Sequence, residues 1–254
     1  MSEEAKSGAE LVNPYCDGEE KGGQVERMFD SIAPAYDFMN TAMTFGLHRY
    51  WRKRALEAMT KALKTPPRAI LDIATGTGDV AFDLHRRFPD ASVTGMDLSA
   101  GMLAVANRKL EKADASARSH ISFLQGDSLD IQLPDNSRDI VTVAYGVRNF
   151  EHLLRGYEEM RRVLRPGGTL CVIELSRPAS KLPLLLYNIY SRHLIPIVGR
   201  AVSGDSRAYS YLPESIAAAP QRSDMTDIME KAGFSHCTWK SLTFGAVTYY
   251  LATK

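Results

Sequence analysis

Cysteine is scarce in this 254-residue chain: Cys16, Cys171 and Cys237 are odd in number, and none stands in a Cys-x-x-Cys pair. That pattern argues against a disulfide framework and a thiolate zinc site, and a reducing cytosol is the expected home. Charge of one sign is missing too. Lys plus Arg is 31 against 30 for Asp plus Glu, a formal balance of +1, so no global field draws the chain toward polyanions, and no nucleic-acid partner is expected. No apolar run reaches the ~18–20 residues of a spanning helix. The greasiest stretch, Leu182 to Gly199, is broken by Arg192 and His193. The opening Met1-Ser2-Glu3-Glu4-Ala5-Lys6 lacks the layout of a secretory signal and is too acidic for a mitochondrial presequence. His85, His120, His152, His193 and His236 are scattered without ligand spacing, so no metal site is expected. No internal repeat recurs at a fixed period.

What is present is the composition of an ordinary globular protein, 44% hydrophobic and 24% charged. The length allows one domain with an appendage. Residues 1–24 are polar, Asp17-Gly18-Glu19-Glu20-Lys21-Gly22-Gly23 offers nothing to bury, and the segment reads as a mobile leader. From 25 to 65, apolar residues recur at spacings of three and four (Met28, Phe29, Ile32, then Trp51, Leu56, Met59, Leu63), which predicts an N-terminal helical cap.

After Thr65-Pro66-Pro67 the rhythm becomes short apolar runs alternating with helical patterns, the signature of βα units and a mostly parallel, doubly wound α/β sheet over residues 66–254. Strands are predicted at Ala69–Ala74, Ser92–Met96, Ile121–Leu124, Ile140–Ala144 and Thr169–Ile173, with helices at Val80–Arg87, Ala100–Glu111, Leu153–Leu164 and Asp224–Ala232. His236–Leu242 and Ala246–Ala252 alternate across a Thr243-Phe244-Gly245 turn and predict an antiparallel pair closing the sheet. Residues 178–211 are rich in Leu, Ile and Tyr and read as an apolar insertion over the sheet's carboxyl edge.

Three segments carry chemistry. In Ile70-Leu71-Asp72-Ile73-Ala74-Thr75-Gly76-Thr77-Gly78-Asp79 an apolar strand runs into a Gly-x-Gly turn and a helix, where absent Cβ atoms admit a ligand and backbone amides favour negative charge. Asp97, at the end of the second strand, is placed to accept hydrogen bonds from both hydroxyls of a ribose. Gly126-Asp127-Ser128 after the third strand adds a polar pair on the same rim, where an adenine edge could be read; an ordinary turn is its rival. The pattern Gly76-x-Gly78-x-x-Ala81 also passes for a dinucleotide fingerprint, so an NAD-dependent oxidoreductase stays open. Asp72 speaks against it, suiting a cofactor with an amino group and a sulfonium better than a pyrophosphate. A non-catalytic nucleoside-binding module is the third reading.

The run Asp72-x-Ala74-x-Gly76-x-Gly78 resembles motif I of class I S-adenosylmethionine-dependent methyltransferases, with Ala74 where many have a first glycine. Tyr36-Asp37-Phe38-Met39-Asn40, continuing through Met43 and Thr44 to His48 and Trp51, is similar to the first signature of the ubiquinone/menaquinone biosynthesis C-methyltransferases, except that Thr44 stands where serine is usual. Arg162-Val163-Leu164-Arg165-Pro166-Gly167-Gly168-Thr169-Leu170, ending Glu174-Leu175-Ser176, resembles the second, and Tyr145-Gly146-Val147-Arg148-Asn149 lies between them.

The resemblance covers residues 25–254 and implies a Rossmann-like fold, S-adenosylmethionine as cofactor, and methylation of a ring carbon of a polyprenylated quinol, with demethylmenaquinol ahead of a ubiquinone-pathway benzoquinol. It suits a bacterial cytoplasmic enzyme that docks transiently on the bilayer to collect its substrate. Cofactor contacts are expected from Asp72, Gly76, Thr77, Gly78, Asp97, Asp127 and Ser128. Tyr36, Asn40, His48 and Tyr145 are expected at the lid or substrate. Arg148 is expected to steady a phenolate and Asn149 to orient the ring, the rival being an Arg148 paired with Glu151 or Glu174 as scaffold. Leu182, Leu184, Leu185, Leu186, Ile189, Ile195 and Ile197 are either core or the lining of a prenyl channel.

Overall fold

The computed structural model describes residues 8–15, 17–190 and 206–254. Cys16 and, within the expected insertion, Arg192, His193, Ile195 and Ile197 lie outside the described residues, as does the side chain of Leu186. The chain opens with a short 3-10 turn, Gly8–Leu11, followed by the cap helices α1 (Lys21–Ile32), α2 (Tyr36–Thr44) and α3 (Leu47–Ala62). The βα domain then runs β1 (Ala69–Ile73), α4 (Asp79–Arg87), β2 (Ser92–Asp97), α5 (Ala100–Glu111), α6 (Ala115–His120), β3 (Ile121–Gln125), β4 (Arg138–Ala144), α7 (Leu153–Val163) and β5 (Leu164–Leu175). Helices α8 (Lys181–Ile189), α9 (Ser206–Ala218) and α10 (Ser223–Lys231) precede the closing strands β6 (Ser235–Leu242) and β7 (Val247–Thr253).

The sheet has seven strands in the order β3-β2-β1-β4-β5-β7-β6. Strands β1 to β5 are parallel, β1 pairing with β2 from Ala69↔Ser92 to Ile73↔Met96 and with β4 from Ile70↔Ile140 to Ile73↔Val143. The closing pair is antiparallel as expected, with a refinement: β7 inserts between β5 and β6, so it alone runs backwards. The chain order reverses at β1, so the loops leaving β1 and β4 open a crevice at the carboxyl edge.

Each face of the sheet carries its own core, as a doubly wound fold requires. Leu71, Val141 and Val143 pack with Tyr157, Met160 and Met225 on one side; Ile70, Val93 and Ile140 pack with Trp51, Leu56 and Leu84 on the other. A third cluster of Met28, Ile32, Met39, Met102 and Tyr211 ties the cap to α5 and α9 over the crevice.

Three expectations need amending. Helix α1 begins at Lys21, inside the segment read as a mobile leader, and Lys21 is only 2% exposed. Its ammonium donates to the carbonyls of Ala9 (2.6 Å), Arg148 (3.2 Å) and Phe150 (3.3 Å). Composition misled because a lysine whose donors are met by carbonyls can be buried. Helix α6 had no apolar periodicity to announce it; Asp114 caps it by accepting from the Ala117 amide at 2.8 Å. Strand β5 starts at Leu164 rather than Thr169, because the register slips between Arg138↔Leu164 and Ile140↔Thr169 and absorbs the Pro166-Gly167-Gly168 turn.

Candidate active site

The turn after β1 is built from backbone that side chains normally avoid. Ala74, Gly76 and Gly78 all have positive φ, at 51°, 55° and 84°. Ala74 thus holds a glycine-like conformation at a cost of ~1–2 kcal/mol. At Gly78 a Cβ would lie 2.7 Å from Phe123 Cζ, so glycine is enforced by packing as well as by φ.

This turn is stitched to the end of β2. The Gly76 amide donates to Asp97 Oδ2 at 2.7 Å, the Ser99 amide to Asp97 Oδ1 at 2.9 Å, and the Gly126 amide to the Asp97 carbonyl at 3.0 Å. Burial pushes the Asp97 carboxyl up, against the pull of these amides. Asp97, Gly76, Asp127 and Ser128 line a cavity of about 250 Å³. Asp127 Oδ1 accepts from the Leu129 amide at 2.8 Å, an Asx turn that leaves the other carboxylate oxygen available.

Next to it lies a second, larger cavity of about 440 Å³ enclosed by the cap, the β4 loop, α8, α9 and the β6–β7 turn. Phe29, Tyr36, Ala74, Gly76, Ala144 and Tyr145 line both, so the two spaces meet at the ends of β1 and β4. A Cβ on Gly76 would enter this junction 3.9 Å from Tyr36 Cε1. Burial raises the Tyr36 phenol, against a hydrogen bond with the Asn40 side chain. Tyr145, Arg148 and Tyr187 all belong to the wall of the larger cavity, and the Tyr145 and Tyr187 hydroxyls and Arg148 Nε are buried in that wall without a partner among the described residues. Buried donors left unmet beside a cavity call for an explanation, and a ligand's oxygens are one.

Arg148 makes the scaffold pairing with Glu174 and also stands in the cavity wall. Its Nη1 donates to Glu174 Oε1 at 2.8 Å and to the Tyr145 carbonyl, which is the scaffold role, while the guanidinium still lines the larger cavity. Asn149 is not beside it. Val147–Asn149 is a 3-10 turn, whose successive side chains diverge by ~120°, so Asn149 lines the smaller cavity and its Oδ1 accepts from the Tyr211 hydroxyl at 3.0 Å. An amide there is badly placed to orient a ring in the larger space.

Asp72 also departs from expectation. It is 1% exposed and lines neither cavity, its Oδ1 and Oδ2 accepting from the hydroxyls of Thr142 and Thr75, each at 2.6 Å. Burial raises its pKa to about 7. Both its oxygens are held by threonine hydroxyls, so it braces the start of the loop. Thr77 likewise turns to the cap, donating to Asp37 Oδ1 at 2.6 Å, although it lines the larger cavity.

Several residues in and around the cavity walls escaped sequence reading. Arg52 bridges Asp79 (3.0 Å) and Asp83 (2.8 Å), and Lys109 bridges Asp37 (2.6 Å) and Asp79 (2.9 Å), locking the cap to α4 and α5. Tyr187 and Tyr211 arrive from α8 and α9. Only the tyrosine richness of the insertion hinted at them.

The model of the ubiE/COQ5 methyltransferase family matches residues 17–254. The demethylmenaquinone methyltransferase of Porphyromonas gingivalis is 43% identical over 246 residues, covering 96% of this chain and 98% of that one. The ubiquinone/menaquinone biosynthesis C-methyltransferase UbiE of Syntrophotalea carbinolica is 41% identical over 229 residues, covering 90% and 93%. Among solved structures, an S-adenosylmethionine-dependent methyltransferase from Thermotoga maritima shares the fold with a TM-score of 0.60 at 20% identity, covering 90% of this chain and 99% of that one. Family and fold set aside the nicotinamide and non-catalytic alternatives. The chain belongs to the ubiE/COQ5 methyltransferase family and is an S-adenosylmethionine-dependent methyltransferase of Rossmann-like fold.

Proposed function

We propose that the enzyme methylates a ring carbon of a polyprenylated quinol, with demethylmenaquinol as its substrate. The observation that carries this reading is the junction of a polar cavity rimmed by Asp97, Asp127 and Ser128 with an apolar one large enough for a bicyclic ring. When bound, S-adenosylmethionine supplies an electrophilic methyl group on a sulfonium. The Asp97 carboxylate takes the ribose hydroxyls, Asp127 and Ser128 read the adenine edge, and the Gly76–Gly78 turn lets the cofactor's backbone approach closely. Tyr36, Asn40 and His48 close over the junction from α2 and α3.

Catalysis is chiefly alignment, because holding nucleophile and methyl ~3–3.5 Å apart accounts for much of the barrier. The remaining task is charge. A ring carbon becomes nucleophilic when the neighbouring hydroxyl gives up its proton, and the wall residues with unmet donors, Arg148, Tyr145 and Tyr187, are the groups we assign to stabilise the oxygen that results. Arg148 stays charged beside Glu174, which holds its pKa up against burial.

The prenyl tail leaves past the cavity mouth, where Phe45 is 76% and Phe244 83% exposed and Leu47, also exposed, opens α3. Phe45 and Phe244 have positive φ, 51° and 56°, so the backbone is strained to present apolar rings to the outside. No described helix is long and apolar enough to cross a membrane. The mouth is therefore read as a shallow bilayer contact, which receives a lipid-dissolved quinol without a spanning segment. The test is incorporation of labelled methyl into demethylmenaquinol and into a demethylated benzoquinol, each with long and short tails. Incorporation into the naphthoquinol supports the reading, preference for the benzoquinol moves the enzyme to the ubiquinone pathway, and incorporation into neither overturns it.

A further inference from the structure

We propose that His48 Nε2 accepts the proton of the substrate hydroxyl, and that the Thr44 hydroxyl holds the imidazole in the tautomer that can do so. The inference rests on the quinol reading above. His48 is buried in α3, lines the larger cavity, and places Nδ1 2.7 Å from Thr44 Oγ1. The direction of that bond follows from counting hydrogens. Thr44 Oγ1 lies 2.6 Å from the Asn40 carbonyl, which can only accept, so the single hydroxyl hydrogen is spent there. Nδ1 must then be the donor toward Thr44, and Nε2 carries a bare lone pair.

Elimination among the groups facing the cavity points the same way. The lining tyrosines, Tyr36 and Tyr145 among them, are pushed up by burial and hold their protons. Asp37 is taken by Lys109 and Thr77. Burial raises the Asp79 carboxyl, but Arg52 and Lys109 outweigh it and hold it low. The guanidiniums of Arg52 and Arg148 accept nothing. For His48, burial, then Arg52 and Arg49 on its own helix, lower the pKa, while Asp79 on α4 and Asp37 on α2 oppose them. The imidazole is therefore neutral at neutral pH, the form that a base requires.

The balance is a simple one. The substrate O–H bond breaks, an Nε2–H bond forms, and the electron pair stays on oxygen and spreads to the neighbouring ring carbon. After methylation that carbon releases its own hydrogen as a proton to restore the aromatic ring. The imidazolium gives its proton back to the ring oxygen, so one proton is released per turnover.

Nitrogen-15 NMR of the wild-type protein reports the tautomer without turnover: a protonated Nδ1 and bare Nε2 at His48 support the proposal, and the reverse overturns it. Thr44→Ser keeps this pattern and Thr44→Val mixes the two forms. In kinetics with demethylmenaquinol, wild-type kcat/KM falls with acidity through a pKa below the ordinary histidine value. His48→Gln loses that limb, lowers kcat by ~10²–10⁴-fold, keeps S-adenosylmethionine affinity by calorimetry, and regains part of its rate with added imidazole. Unchanged kcat, a retained acid limb, or a matching collapse of cofactor affinity overturns the proposal. A wild-type enzyme inactive on every quinol overturns the substrate reading and this proposal together, whereas an active wild type with an equally active His48→Gln overturns this one alone.

Discussion

The two cavities are assembled in opposite ways. The smaller one is floored by consecutive turns at the ends of β1, β2 and β3, joined by backbone amides on Asp97, with α1 and the β4 loop closing its sides. The larger one draws on α1, α2, α3, the β4 loop, α8, α9 and the β6–β7 turn, elements from across the whole chain. The lesson is about tolerance. A site made of backbone is fixed by the sheet and changes little with side-chain identity, while a site made of converging helices can be retuned by single residues at its wall.

That contrast can be broken by substitution. The largest expected effect is at Arg148, where the walls of the substrate space and the scaffold coincide. Arg148→Met strands the buried carboxylate of Glu174, which is 2% exposed, and should cost ~3–5 kcal/mol in denaturant unfolding as well as turnover. If stability holds while kcat falls, Arg148 belongs to the substrate side only. Next is Asp97→Asn, which should weaken S-adenosylmethionine binding by ~1.5–3 kcal/mol, roughly 10–100-fold by calorimetry. A larger shift in quinol KM than in cofactor affinity would erase the division between the cavities.

Asp72 gives a pH test of the β1 turn on which both cavities meet. Its folded pKa, about 7, lies above the unfolded 3.8, so between those values the folded state keeps a proton that the unfolded state has released. Its contribution to stability is therefore full below the lower value, declines as pH rises by at most ~1.4 kcal/mol per pH unit, and levels off above about 7. Asp72→Asn should lose that slope in melting curves recorded from pH 4 to 8. The smallest effect is expected at the mouth. Phe244→Ser should change stability by only ~0.5 kcal/mol or less, yet lower the rate on a long-tailed quinol in vesicles more than on a short-tailed one in detergent. Equal losses on both would make Phe244 part of the ring pocket rather than of a membrane contact.

How far the sequence could be read follows the same division. Strand–turn–helix order, the Gly76–Gly78 turn and the placement of Asp97 were legible because each is local and carries its own periodicity or turn chemistry. The rim positions Asp127 and Ser128 were legible for the same reason. The bracing of Asp72 was not legible, because alternation along a strand says which side a residue faces, not whether two threonine hydroxyls wait there. Asn149 was grouped with Arg148 by adjacency, which a 3-10 turn undoes. Lys21 was dismissed on composition, and Tyr187, Tyr211 and Arg52 were unmarked, because their contacts depend on tertiary approach.

The turn that carries Arg148 is gripped from both sides in sequence. Lys21 reaches its carbonyls from 127 and 129 positions upstream, and Tyr211 reaches Asn149 from 62 positions downstream. Contacts so distant along the chain close late, since loop-closure entropy must be met first. The nucleoside turns lie between Gly76 and Ser128, whereas α8, α9 and the β6–β7 turn come from the last third of the polypeptide, so competence for chemistry draws on the whole length of the chain.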